Sequence, residues 1–319
     1  MNLDLLFDNL TNPAFLFFIL GVLAVKVKSD LEIPENSSKF ISLYLLFSIG
    51  FKGGQELAHS SFTIEIIWAL LFGIAIACVI PIYTFFILKK KLNIKDSGAV
   101  AATYGSVSAV TFVTAVSFLE IQSLTFSGYM VAVMALMEAP AIIIGVILIR
   151  FYSKNEGPTV KIKSIIGHSF TNGSVLLILG SLVIGFLASE QHALGIKPFT
   201  TDLFKGFLAI FLLDMGITSG RKLKDFFKNG WFTTTFALII PLFNGSVIAF
   251  LSSFVTDDIG NRFMFAVLAA SASYIAVPAA MKIAVPKANP GIYLPMALAI
   301  TFPFNITIGM PIFLTIIMN

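Results

Sequence analysis

Two clusters of small and hydroxyl residues interrupt otherwise apolar stretches of the chain. Gly105, Ser106, Val107 and Ser108 lie within AATYGSVSAVTFVTAVSF, and Ser271, Ala272, Ser273, Tyr274 and Ile275 lie within VLAASASYIAVPAAMKIA. Each reads as a place where a helix breaks. Pro278 strengthens the second, because proline suits the first turn of a helix and would open a new segment just after Tyr274. A helix that restarts there offers N–H groups without intrahelical partners and the positive end of its dipole, which together favour an anion. The hydroxyls of Ser106, Ser108, Ser271 and Ser273 would add donors, so a compact oxyanion is the expected ligand. For any one serine the ordinary alternative is a bond to the preceding turn or a contact between helices. The pairing of two such clusters favours a site.

Glu138 stands before Ala139 and Pro140, near the centre of another apolar stretch. A carboxyl group in hydrocarbon is costly enough to point to function: it could hold Na+ or carry a proton, or be a structural glutamate beside a proline kink. Asn305, flanked by Pro303 and Thr307, offers a neutral oxygen at similar depth, or a contact between helices. Asp214 and Lys52 read as span-end residues that snorkel to an interface. Cys78 is the sole cysteine, and His59, His168 and His192 are far apart, so neither a disulfide framework nor a transition-metal site is expected.

The elements that must position these groups follow from composition. Of 319 residues 57% are hydrophobic and only 12% charged, which is too little polar surface to coat a soluble globule. In lipid, backbone groups must be satisfied internally, and the long unbroken apolar runs argue for helices rather than a barrel. Runs near 9–27, 38–54, 63–88, 97–118, 128–150, 171–189, 202–219, 231–254, 260–284 and 292–317 suit the roughly 20 residues that a span needs. The expected fold is an all-α membrane protein of ten transmembrane helices. With the N-terminus outside, seventeen of the 21 basic residues fall in inner loops, and only Lys52, Lys197, Lys205 and Arg262 fall on the other side. That bias places both termini outside and accounts for the basic pI without a nucleic-acid partner. The first span, with Asp4 and Asp8 before it and no basic residue, reads as retained rather than as a signal peptide.

The chain also matches itself. LLFSIGFKGGQEL at 45–57 aligns with FLLDMGITSGRKL at 211–223, pairing Gly50 with Gly216 and Gly54 with Gly220. GSVSAV from Gly105 aligns with ASASYI from Ala270, and Tyr129 and Gly145 align with Tyr293 and Gly309. Five spans separate the equivalents, and five is odd, so the second half must cross the membrane inverted. The expected organisation is a first repeat at 1–152, a short cytosolic linker at 153–170 and an inverted repeat at 171–319, with two crossed discontinuous helices. Such 5+5 inverted repeats are typical of secondary transporters that work by alternating access. The paired glycines read as GxxxG packing faces.

The order of motifs resembles the sodium-dependent bicarbonate transporters known best from cyanobacteria. The likeness covers most of the chain and rests on LLFSIGFKGGQEL, YGSVSAVT, MEAPAII and, above all, SASYIAVPAAMKIAVPKANPGIY, in which VPKANP is the most specific run. It implies a ten-helix fold of core and gate bundles, assembly as a homotrimer in the bacterial plasma membrane, and Na+-coupled uptake of bicarbonate. By that likeness Ser106 and Ser108, and Ser271, Ser273 and the residues after them, match the family's binding region. Two positions depart from the pattern: Tyr274 and Glu138 each stand where the family has an aspartate. Na+ prefers several oxygen ligands, and Thr111, Glu138, Ser271, Thr301 and Asn305 are the candidates here. The linker SKNEGPTVKIKSIIGHSF is much shorter than the cytosolic segment of the cyanobacterial proteins, which weighs against the regulatory partner of the PII-like class that those relatives bind.

No Walker loop, dinucleotide fingerprint or HExxH helix accompanies these features, so the chain does not read as an enzyme, and no cofactor is expected besides Na+ as coupling ion. The alternatives are a cation/proton antiporter in which Glu138 titrates, and a non-transporting membrane receptor or scaffold.

Overall fold

The computed structural model describes residues 11–59, 63–153, 167, 171–226 and 230–319. Most of the expected linker at 153–170 lies outside them. Among the described residues the chain is helical and has no strand. The helices are α1 (Pro13–Lys26), α2 (Glu35–His59), α3 (Ile64–Leu88), α4 (Ile94–Gly105), α5 (Ala109–Ile121), α6 (Tyr129–Tyr152) and α7 (Gly173–Leu187), followed by the short α8 (Glu190–Lys197). After them come α9 (Phe204–Phe226), α10 (Trp231–Leu251), α11 (Ile259–Ala270), α12 (Ala276–Ala284) and α13 (Pro290–Met318). Six helical stretches are long and apolar enough to cross a bilayer, and α1, α7 and α11 are shorter apolar helices.

The two expected breaks are present. One separates α4 from α5 at Ser106–Ser108, and the other separates α11 from α12 at Ser271–Ile275. These interrupted segments form the centre of the molecule: the stretch Ile94–Ile121 is buried over 89% of its most apolar window, against 39% for α3. The apolar residues that α3 and α10 leave exposed, such as Trp68, Leu71, Val79, Ile239 and Phe243, have the chemistry of a lipid-facing surface.

Close helix pairs follow from glycine. On α2, a methyl group added at Gly54 would collide with the Leu182 carbonyl and come within 2.7 Å of the Phe186 amide on α7, and one added at Gly50 would lie 2.6 Å from the Ile178 carbonyl oxygen. On α9, a methyl group at Gly216 would strike the Phe18 carbonyl of α1. Backbones therefore touch along α2–α7 and α1–α9, as the GxxxG reading expects. The remaining helices cluster around the breaks, with α3 on α4 and α6, and α10 on α11 and α13.

The two interrupted segments start alike. Asn93 caps α4 by accepting the Asp96 amide at 2.9 Å, and Asp258 caps α11 by accepting the Asn261 amide at 2.7 Å. Asp96 then accepts the Asn289 amide at 2.7 Å, while the Asn261 side-chain oxygen accepts the Ser127 amide at 2.7 Å. Each contact ties the start of an interrupted segment to the loop that leads into the proline-bearing helix, α13 or α6. The VPKANP run at 285–290 is that loop in the second half. Its Asn289 also caps α13 by accepting the Gly291 amide at 2.9 Å.

Candidate functional site

The two breaks meet. The Ser108 amide donates to Ser271 Oγ at 3.1 Å, and the Ser273 amide donates to the Thr103 carbonyl at 2.9 Å. The hydroxyl of Ser108 caps α5 by accepting the Thr111 amide at 3.1 Å, and that of Ser273 accepts the Val277 amide at 3.4 Å in the first turn of α12. Pro278 lies in that same turn, as the sequence suggests. Gly105 ends α4 where a side chain would strike the Pro81 ring of α3 and approach Ala141 of α6 to 3.2 Å. Only glycine lets the break sit this deep.

Val107, Ser108, Ser273, Tyr274 and Ile275 line one small cavity together with Glu138 of α6. Its space for water-sized guests is about 30 Å³, roughly twice what one water needs. The first residues of α5 and α12, Ala109 and Ala276, also face it. Their amides belong to the set that a helix leaves unbonded within itself, so two dipole ends address one pocket. No Lys, Arg or His lines it. Leu46 of α2 and Ser174, Val175 and Ile178 of α7 close the opposite wall. Sequence reasoning missed these wall residues. Ser174, in the first turn of α7 behind its Asn172 cap, was the one with a polar signal.

Glu138 borders a second cavity, of about 190 Å³, lined by Thr171, Asn172, Ala276, Ala279, Ala280 and Ile283. Among the described residues no hydrogen bond or ion pair holds its carboxyl group. Tyr274 reaches across to α9, its hydroxyl 3.8 Å from Met215 Sδ. Beside it on α9, Asp214 does not snorkel from a span end as expected: it lies near the middle of the helix, is buried, and accepts a hydrogen bond from Ser38 of α2.

The other candidates lie behind the cavity wall. Ser271 uses its hydroxyl on the Leu268 carbonyl at 2.8 Å as well as on Ser108, and Ala272 is buried beside it. Thr301 links Tyr104 Oη at 2.7 Å to the Ala237 carbonyl at 2.8 Å. Asn305 donates to the Ala270 carbonyl at 2.7 Å, satisfying the end of α11. Thr301 and Asn305 belong to two π-helical stretches of α13, Met296–Thr301 and Asn305–Gly309. Thr111 is buried in the first turn of α5. Among the described residues three side-chain oxygens are buried without a partner, Ser48 Oγ, Ser106 Oγ and Asn305 Oδ1, of which Ser106 belongs to the first break and Asn305 bonds the end of α11. Unpartnered oxygens of this kind, in a region free of His and Cys, suit a hard cation rather than a transition metal.

A helical bundle with a lipid-type surface, two helices interrupted at its centre and a small, mostly apolar cavity there that carries Ser108, Ser273 and Glu138 fits a multi-pass membrane transporter. The chain belongs to the Na+-dependent bicarbonate transporter superfamily, whose family model matches residues 13–318. No curated protein gives a significant match.

Proposed function

We propose that the chain is a secondary active transporter that takes up bicarbonate, or a closely similar small anion, together with Na+ by alternating access. The observation that carries this reading is the single cavity shared by Ser108, Ser273, Glu138 and the first residues of α5 and α12. Bicarbonate is a planar oxyanion, and amides with hydroxyls can hold it without a buried cationic side chain. Glu138 in its charged form would repel an anion in the same cavity unless Na+ or a proton neutralised it, which gives a physical reason for coupling to a cation. Thr111, Glu138, Ser271, Thr301 and Asn305, with the unpartnered Ser106 Oγ, are the proposed contributors to the Na+ site.

The architecture we infer is ten spans in two inverted repeats, 1–152 and 171–319, with both termini outside the cell. The matched pairs α1–α9 and α2–α7, and the parallel ties Asp96–Asn289 and Asn261–Ser127, support that symmetry. On the family likeness we read the working unit as a homotrimer in a bacterial plasma membrane.

Reconstituted vesicles test the function. Labelled bicarbonate should accumulate when an inward Na+ gradient is imposed and should not when K+ replaces Na+. Equal uptake in both would remove Na+ coupling, and no uptake in either would remove the reading. One observation favours a second reading, a cation/proton antiporter: Glu138 touches two cavities and has no fixed partner among the described residues. That reading requires Na+-driven proton movement in the absence of bicarbonate.

A further inference from the structure

Cavities follow one face of α2 away from the breaks. Leu46 borders the central cavity. One turn further on, Ile49, Lys52, Gly53 and Glu56 border a second space of about 120 Å³. Lys52 and Glu56 then share a third, of about 320 Å³, with Gln55, His59 and Lys197. The spacing 46, 49, 53, 56 is that of a single helix face. The spaces widen toward the end of α2 bearing His59, which is the outer end in the proposed orientation, and together they are the candidate route.

The route is crossed by charge. Glu120, in the last turn of α5, receives Lys52 of α2 at 3.8 Å on one carboxylate oxygen and Lys205 of α9 at 3.2 Å on the other. The pairs join the interrupted segment to two helices of the glycine-packed set. Beside them α2 presses onto the start of α6, where the Gly53 carbonyl leaves no room for a side chain at Gly128. Lys52, Lys197 and Lys205 are three of the four basic residues that the sequence places outside, and all three border this route or its bridge. Glu120 is only partly buried, with 32% of its side chain exposed. Partly exposed pairs of this kind contribute little to stability, so holding the fold does not account for them.

We propose that Lys52 and Lys205 form an anion-receiving site for a planar, carboxylate-like anion, with Glu120 as its resident occupant. Bicarbonate presents the same O–C–O edge that Glu120 now presents to the two ammonium groups. When the arriving anion takes them over, Glu120 is released and α5 is free to move from α2 and α9. The external substrate thereby unlatches its own route to the cavity. The inference rests on the proposed orientation and on alternating access, and it adds a second anion site to them.

Because Cys78 is the sole cysteine, Cys78→Ser with Val116→Cys gives one reporter thiol on α5 within the 120 Å³ space. The reporter protein, held in lipid nanodiscs, is labelled with a polar maleimide. Glu120→Gln should raise the labelling rate several-fold without any anion. Bicarbonate or formate should raise it several-fold in the Glu120 background, and chloride at equal ionic strength should not. The double variant Lys52→Gln/Lys205→Gln should label fast and ignore the anion. Should that variant fail to fold, Lys205→Gln alone, at a position 69% exposed, should still diminish the anion effect. Labelling of Glu120→Gln at the parental rate, an undiminished anion effect after loss of the lysines, or an equal effect of chloride would each overturn the proposal. Failure of the transport reading shows elsewhere, as absent bicarbonate uptake by the parent in vesicles.

Discussion

Serines that look equivalent in sequence do different things. Ser108 and Ser273 face the cavity, whereas Ser271 spends its hydroxyl joining the two breaks. Ser108→Ala and Ser273→Ala should therefore each raise the half-saturating bicarbonate concentration at least about tenfold, as expected for loss of a hydrogen bond to a charged group worth about 1.5–3 kcal/mol. Unchanged transport kinetics in both would return these serines to helix packing. Ser271→Ala should instead lower the melting temperature, since the Ser108 amide would lose its acceptor in a buried setting. Glu138→Gln should make bicarbonate uptake independent of Na+, read as equal rates in Na+ and K+ media. The clusters themselves were legible, because hydroxyl and small residues stand out against apolar neighbours. Which member faces the pocket was not, because side-chain direction at a break follows from backbone angles that no periodicity fixes. Thr301 and Asn305 are the same case: π-helical turns place them, and the prolines at 295 and 303 only hint at an irregular helix.

At the scale of elements, the breaks and the glycine faces were both readable, since each depends on residue type at fixed spacing. Pro278 in the first turn of α12 is a local signal that tertiary packing did not override, whereas the N-caps Ser108, Asn93 and Asp258 went unread. The short α8 went unread although Ser189 caps it, and the π-helical turn Pro198–Asp202 after it went unread as well. Glycine contact makes a sharp prediction. Gly54→Ala would force α2 from the α7 backbone and should cost about 1–3 kcal/mol, the range for overpacking a tight contact, seen as a lower melting temperature. Gly180→Ala, on α7 with nothing within 4 Å of the added methyl group, should leave it unchanged. Equal effects would mean that glycine at these positions serves no close approach.

Seen whole, the molecule keeps its basic side chains away from its site. Of 21 basic residues none lines the central cavity, and most of those among the described residues sit near helix ends or in the turns between helices. An anion there must be held by what the fold itself supplies, the unbonded amides at the starts of α5 and α12. This arrangement depends on residues more than 160 positions apart, so sequence could suggest the convergence through internal similarity but not its geometry. One substitution isolates the backbone contribution. Ala109 is the first residue of α5, where proline is well tolerated, and Ser108 before it is already extended at φ −106° and ψ 112°. Ala109→Pro thus removes one N–H from the cavity while preserving the helix. Measured against bicarbonate concentration in vesicles carrying a Na+ gradient, its half-saturation should rise about tenfold, the effect of one hydrogen bond to a charged group, with the melting temperature retained. Parental half-saturation in a folded Ala109→Pro protein would contradict anion binding at the helix starts.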